Sequence, residues 1–531
     1  MFDVEYKLQS LNRGTPGLIP AWTNGTFVSP VTGQPVAGTV TGGRITRLAK
    51  FNARGPDDKT RRKITTFDSR FEHRFNRVLS LRVNGQVYFG TYDSWSYGLY
   101  IPSYRMSDAT LHGRRPLHED HETASFSGQA DLLAVFNTGP VAHKLLLTMD
   151  GRHESGPQPD WEMPDEVYEA LPDSVRNLSV ERPDWSSFDH SLLTKKVRDD
   201  ETITKDLGFL LSERAALLRG RVLLYASLRN DNFRADFENK LNPSQSGGLR
   251  RSVFNHTLGG VAHIIPGRFI FFANRSTSFT PSSTLDRGTG ELQEPLTSKG
   301  IEAGFRGEIM PASATDGWRG LYWAASIYRI DRKAPQSNPY YSIDGGLEAG
   351  IPQYINSAVE RVDGIELELF GTISRHTTVS VAYTRLHPYV KNYPDDRARE
   401  GMPLRYMPDT TLAATTRYRF TDGLLKGVLL GAAMRYTEEF FAYYGTAGSQ
   451  VTGTDTIGGN LRLNYGPADR IEEIRPAVTL FDVFAEYQFK TGKYTHIVGI
   501  NLNNALNATY YGHNGNPGNE REILIRWRLK F

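Results

Sequence analysis

Phe67-Asp68-Ser69-Arg70-Phe71-Glu72-His73-Arg74-Phe75, then Asn76-Arg77-Val78, then Leu79-Ser80-Leu81-Arg82-Val83-Asn84-Gly85-Gln86-Val87-Tyr88-Phe89 is the stretch that decides the fold. In its first arm Phe67, Phe71 and Phe75 share one side, while Asp68, Arg70, Glu72 and Arg74 share the other. In its second arm Leu79, Leu81, Val83, Val87 and Phe89 lie opposite Arg82, Asn84, Gln86 and Tyr88. A strand sends successive side chains to opposite faces, so each arm has one apolar and one polar wall.

The pattern recurs along the chain. Phe126, Ala130, Leu132 and Phe136 alternate with Ser125, Ser127, Gln129 and Asp131; Ile365, Leu367 and Leu369 with Glu366 and Glu368; Val498, Ile500 and Leu502 with Asn501 and Asn503. Many runs exceed the five or six residues usual for a soluble strand. Short connections, such as Thr138–Pro140, Arg219-Gly220, Pro266-Gly267, Ser374–His376, Thr421–Gly423 and Thr491–Lys493, take turns with long segments near 11–62, 93–120, 154–200, 332–351, 388–403 and 441–474. Short turns at one end and long loops at the other are the asymmetry of outer-membrane barrels. The expected fold is therefore all-β, a transmembrane antiparallel β-barrel with about 18 strands. The first strand, near 2–10, runs outward and the last, near 519–531, inward. In that last strand Ile523, Ile525, Trp527, Leu529 and Phe531 form an apolar stripe opposite Arg526, Arg528 and Lys530.

Composition agrees. The chain of 531 residues is 39% hydrophobic and 23% charged, yet carries 26 Tyr, 27 Phe, 7 Trp and 50 Gly. A barrel averages out this way because only every second strand residue meets lipid. A net charge of +3 gives no case for nucleic acid. No run approaches the roughly 20 apolar residues of a spanning helix. The absence of cysteine removes thiolate metal sites and Cys nucleophiles. Met1–Gly14 has neither the basic nor the apolar region of a signal peptide, so either the export signal of a barrel was removed with other N-terminal sequence or the barrel reading is wrong.

Several segments resemble, in order and spacing, the barrel of TonB-dependent siderophore receptors of the ferrichrome type. They are Phe272-Ala273-Asn274-Arg275-Ser276-Thr277-Ser278-Phe279-Thr280-Pro281, the stretch Leu296 to Glu308, Val362-Asp363-Gly364-Ile365-Glu366-Leu367-Glu368-Leu369, Met402-Pro403 with Arg417-Tyr418-Arg419-Phe420, and Asn501 to Tyr511. The resemblance is most specific over residues 200–531. It implies a barrel of 22 strands preceded by a plug bearing a TonB box. No plug or TonB box is found in this sequence. Residues 1–531 are thus expected to be one barrel domain, N-terminally truncated, with plug and first strands missing.

What the resemblance implies about function is receptor and transporter activity for TonB-dependent uptake of ferric siderophores at the cell outer membrane. Uptake of another nutrient, such as a vitamin or glycan, and a passive porin-like barrel are the alternatives. Partners are then a ferric siderophore, outer-membrane lipid and lipopolysaccharide, and the TonB complex only where a plug with a TonB box is present. Aromatic clusters at outer strand ends offer ligand contact or a membrane-interface girdle. The ligand residues expected are Arg435, Tyr436, Phe440, Phe441, Tyr443 and Tyr444, with Tyr340 and Tyr341 closing from a separate loop. Rings give apolar contact, and Tyr hydroxyls and Arg hydrogen-bond chelate oxygens. Trp527, Leu529 and Phe531 sit where the resemblance puts the assembly signal.

Other constellations favour a plainer reading. His112, His118, Glu119, Asp120, His121 and Glu122 lack the spacing that places two His on one helical face, so a solvated loop rather than a metal site is expected. The acidic segment 160–189 reads as a hydrated loop. Glu366 and Glu368 read as lumenal wall rather than an acid–base pair. No catalytic constellation is found, so no enzyme and no cofactor is expected.

Overall fold

The alternating segments become long strands. In this computed structural model the described residues are 2–13, 22–23, 43–44 and 59–530, except 99–102, 106–109, 113–114, 180–188, 283–284, 287, 311–319, 338–353, 394–399, 448–450, 458–459, 466–468, 509 and 511–517. Eighteen strands form one sheet. They are β1 (Phe2–Arg13), β2 (Lys59–Arg74), β3 (Leu79–Gly98), β4 (Arg115–Thr138), β5 (Val141–Glu162), β6 (Lys195–Leu217), β7 (Val222–Asn239), β8 (Gly247–Ile265) and β9 (Phe269–Thr280). There follow β10 (Leu296–Met310), β11 (Leu321–Ser337), β12 (Tyr354–Thr372), β13 (Thr377–Asn392), β14 (Thr410–Arg419), β15 (Val428–Thr437), β16 (Val478–Thr491), β17 (Tyr494–Asn503) and β18 (Glu522–Lys530). Each pairs antiparallel with the next. The strand number is the one the sequence predicts, and because an even number of strands pair antiparallel in order, the first and last strands run in opposite directions.

Register carries the alternation around the sheet. One row runs Phe71, Val83, Ala130, Met149, Phe209. A second runs Phe305, Ala325, Leu367, Tyr383. These rows hold the exposed large apolar side chains; Phe71 is 43% exposed and Leu367 45%. In water so continuous an apolar surface would be a liability, and in a bilayer it is the lipid contact. The neighbouring row Arg70, Asn84, Gln129, Asp150 is polar and faces the lumen. The turns at Gly139 and Gly492, with φ of 59° and 60°, have open space around them, as short solvent-facing turns require.

Two expectations are corrected. Segments 93–120 and 154–200 were expected as loops, yet β3 continues to Gly98, β4 begins at Arg115, β5 continues to Glu162 and β6 begins at Lys195. Strands of 24 and 23 residues far exceed the roughly 9–11 needed to cross a bilayer. Pairing with a neighbour satisfies the backbone there, and that overrides a polar, proline-bearing composition. The His118–Glu122 group accordingly lies in β4, not in a loop. The acidic segment is not wholly hydrated either. Its helices α1 (Asp165–Glu169) and α2 (Asp173–Arg176) accompany a cluster of Met163, Tyr168 and Leu193 packed with Trp95 and Trp161. Arg115 and Lys195 both clasp Asp165, at 2.6 Å each, and hold its carboxyl below the usual range; Lys195 is the larger cause. Residues 180–188 of that segment lie outside the described residues.

The two faces should respond oppositely to charge. Leu367→Arg, in the middle of the lipid-facing row, should lower the unfolding free energy in bilayers by roughly 2–4 kcal/mol. Glu368→Arg, one residue on and facing the lumen, should change it by less than about 1 kcal/mol. Urea unfolding of the refolded protein in vesicles, read by the heat-dependent gel shift, measures both. Equal losses would mean that the faces are wrongly assigned.

Candidate functional site

The lumenal wall is built of side chains that alternate with the lipid-facing rows. Its most connected part spans β5, β6 and β7. The Arg229 guanidinium donates to both carboxylate oxygens of Asp150, at 2.7 and 2.8 Å, and its Nε donates to Asp231 at 2.8 Å. Asp231 is almost wholly buried. Gly208 makes the geometry possible, because a Cβ there would lie 2.1 Å from Arg229 Nη2. Beside this group a concavity of about 660 Å³ is lined by Asp68, Arg70, Gln86, Gln129, Arg152 and Asp206, among others. A strand-borne wall of paired charges presents donors and acceptors to a polar solute without a naked charge.

Glycine also sets where lumenal rings lie. A Cβ at Gly364 would meet the Tyr328 ring at 2.3 Å, and one at Gly431 the Phe484 ring at 2.2 Å. These rings lie flat on the wall across a neighbouring glycine instead of projecting into the lumen. Glu366 and Glu368 face the lumen, as predicted.

Higher on the wall, Glu119 and His121 of β4 meet Asp160 of β5. Their ligand-capable atoms lie within 4.8 Å of one another. His121 Nε2 shares a 2.7 Å hydrogen bond with Asp160 Oδ1, Tyr92 donates to Glu119 at 3.4 Å, and Arg198 lies 3.9 Å from Asp160. The group is a hydrogen-bonded cluster whose residue types also suit a divalent ion. His118, one residue away, faces outward and stacks on Trp95 with ring centroids 3.7 Å apart. Sequence spacing alone hid the cluster, because its third member comes from the next strand.

The expected ligand residues do not all come together. Arg435 faces the lumen and donates to Asp482 at 2.9 Å. Tyr436, its chain neighbour, falls in the outward row with Leu412 and Thr479, so it belongs to the outer wall and not to the mouth. Phe440, Phe441, Tyr443 and Tyr444 lie in a strand, Phe440–Ala447, paired with Asp469–Arg475 beyond the end of β15. Tyr340, Tyr341 and Phe531 lie outside the described residues. Trp527 and Leu529 face outward on β18, and Trp527 is 64% exposed. Sequence reasoning missed the Asp150–Arg229–Asp231 group; only Arg229-x-Asp231, two same-face residues of opposite charge, signals it.

Residues 7–505 match the family described as TonB dependent receptor-like, beta-barrel. The chain is similar to the ferrioxamine B receptor of Salmonella typhimurium, 25% identical over 420 residues, which cover 76% of this chain and 52% of that protein. It is similar to the metal-pseudopaline receptor CntO of Pseudomonas aeruginosa, 23% identical over 502 residues, covering 91% of this chain and 61% of that one. The chain thus spans little more than half the length of the curated relatives it matches. The ferric preacinetobactin receptor BauA of Acinetobacter baumannii shares its fold, with a TM-score of 0.72 at 15% identity over 99% of this chain and 69% of that chain.

The Arg229 group gives a stability test. Arg229→Met leaves two carboxylates without their shared donor and should cost roughly 1–3 kcal/mol, discounted from a fully buried pair for its partial exposure. Adding Asp150→Asn should restore part of the loss, with a coupling of at least about 0.5 kcal/mol in a double-mutant cycle. Strict additivity in urea unfolding would contradict the shared role.

Proposed function

Since the chain belongs to the family of TonB-dependent receptor β-barrels, we propose that it forms the wall of a receptor that takes up ferric siderophores across the outer membrane. The outer membrane is where this barrel resides. The observation that carries the proposal is the family match along residues 7–505, together with relatives whose names specify ferrioxamine B and a metal-pseudopaline complex.

The wall's chemistry supports that reading. Ferric chelates are oxygen-rich and too polar to cross hydrocarbon. A lumen of paired charges and amides exchanges hydrogen bonds with such a solute one at a time, so no single contact holds it fast. At the outer mouth the proposed ligand contacts are Arg435 on the lumen face, Phe440, Phe441, Tyr443 and Tyr444 beyond β15, and Tyr340 and Tyr341 from a separate segment. Coupling to TonB runs through a plug with a TonB box wherever such a segment is part of the protein. Outer-membrane lipid and lipopolysaccharide surround the apolar rows. A second reading, uptake of another metal's chelate, draws support from the metal-pseudopaline relative, whose match covers 91% of this chain.

Cells lacking their own hydroxamate receptors and expressing this protein should accumulate radiolabelled iron from a ferric trihydroxamate only when TonB is active. Replacing Phe441, Tyr443 and Tyr444 by Ala should weaken binding about tenfold, or roughly 1.4 kcal/mol, while the barrel still assembles. Nickel- or zinc-loaded chelate taken up in place of iron would favour the second reading. Uptake that persists without TonB would contradict both.

A further inference from the structure

Near the outer mouth β4 and β5 lose part of their hydrogen bonding without moving apart. Their ladder pairs Glu119 with Asp160 and Ala124 with Ser155, and no residue pair is registered between those two. Pro157 and Pro159 fall in that gap, and proline brings no N–H to a ladder. The strands still touch: a Cβ at Gly156 would lie 1.8 Å from the Glu122 carbonyl oxygen. The outward residues of this stretch, His118, Asp120 and Glu122, are polar, so it stands beyond the hydrocarbon. On its lumenal face, at the edge of the interruption, sit Glu119, His121 and Asp160.

Register assembles these three. Glu119 and His121 are two apart on β4 and so share a face, and Asp160 stands opposite Glu119 on β5. One ligand-capable atom from each lies within 4.8 Å of the others, and no other three His or carboxylate groups come as close among the described residues. The negative charge there is incompletely matched. Asp160 is only 9% exposed. Its Oδ1 shares a hydrogen bond with the His121 ring, but Oδ2 has Arg198 at 3.9 Å, beyond hydrogen-bond reach. Arg198 is turned instead to Asp200, at 2.9 Å, and to Gln158. Glu119 receives one long bond, 3.4 Å from the Tyr92 hydroxyl. Asp150 and Asp231 make the contrast, because Arg229 donates to each at 2.8 Å or less.

We propose that Glu119, His121 and Asp160 form a site for one divalent ion of the zinc type, which ties β4 to β5 across the interrupted ladder and keeps a coordination position open to the lumen. The proposal goes beyond the uptake reading and does not depend on which solute the barrel carries. The donor set selects the ion. One imidazole nitrogen with two carboxylates suits zinc and its neighbours in the first transition row, whereas calcium and magnesium take oxygen ligands. Bonds of roughly 2.0–2.2 Å place tetrahedral ligand atoms roughly 3.3 Å apart, a contraction that side-chain rotation supplies. Binding replaces the His121–Asp160 hydrogen bond: the ring turns its Nε2 lone pair to the ion and keeps its proton on Nδ1, and Asp160 turns an oxygen to the ion. Three protein ligands leave one tetrahedral position for water or for a donor atom of an incoming solute. Arg198 swung onto Asp160 is the competing arrangement, and its bonds to Asp200 and Gln158 hold it back.

Protein without a histidine tag, stripped of metal in detergent, is titrated with zinc by calorimetry, and bound metal is counted by elemental mass spectrometry. One zinc per chain should bind with a Kd of about 1 μM or tighter and raise the unfolding temperature. Calcium should bind at least about tenfold more weakly. His121→Ala and Asp160→Asn should each weaken zinc binding at least about tenfold, while His143→Ala, at the opposite end of β5, should change it less than about twofold. Where a variant loses the heat-dependent gel shift of a folded barrel, the wild-type protein decides alone: cobalt bound in place of zinc should show the intense visible absorption of a four- or five-coordinate ion. The faint spectrum of six-coordinate cobalt overturns the proposal. So does the absence of saturable binding at one zinc per chain, calcium binding as tight as zinc, or unaltered zinc affinity in both folded variants. None of these readings involves a siderophore or TonB, so their failure leaves the uptake reading standing.

Discussion

An unpaired peptide N–H or C=O inside hydrocarbon costs several kcal/mol, and no water is there to relieve it. Among the described residues no helix is long and apolar enough to cross a membrane. The family match and the 18-stranded sheet give the spanning to strands, and strands satisfy their backbones only through neighbours. The ladder from β1 to β18 answers that constraint. It also explains why β4 and β5 remain paired far beyond the membrane, where composition alone favours loops. From β2 to β17 each strand is tied to two others, so register is shared and faces are fixed together.

Fixed faces set the chemistry of each side. Outward rows such as Phe305, Ala325, Leu367 and Tyr383 lose nothing by lacking polar partners. Inward rows must accommodate charge within a wall one strand thick. Glycine supplies the room: Gly208 admits the Arg229 guanidinium between Asp150 and Asp231, and Gly364 lets Tyr328 lie flat. The lumen is kept polar and open by the same substitution of hydrogen for a side chain. On the outside, alternation puts Arg329 and Arg385 on the same face as Ile327 and Ile365.

Much of this was legible in sequence because a two-residue period needs no knowledge of the partner strand. Phe67 to Phe89 gives two strands, their faces and their connection directly, and Ile523 to Leu529 gives the last strand's lipid face. What failed depended on neighbours. Residues 93–98 and 115–122 read as loop because their pairing with one another and with β5 is not written locally. Tyr436 read as a companion to Arg435, but adjacency in a strand means opposite faces. The Glu119–His121–Asp160 cluster was invisible because register, not spacing, assembles it. Family resemblance pointed to the receptor class, and its motif Gly364 to Leu369 marks a lumen-facing carboxylate strand that the structure retains.

The alternation itself can be measured on β12. The protein has no cysteine, so single cysteines placed at each position from Ile365 to Leu369 report one site at a time. In vesicles, a water-soluble maleimide should label positions 366 and 368 quickly, and a hydrocarbon-soluble spin label should report lipid contact at 365, 367 and 369. A strict two-residue alternation between the reagents is what a barrel wall with a hydrated lumen predicts. Water-soluble labelling at all five positions, or a period of three to four residues, would contradict the account.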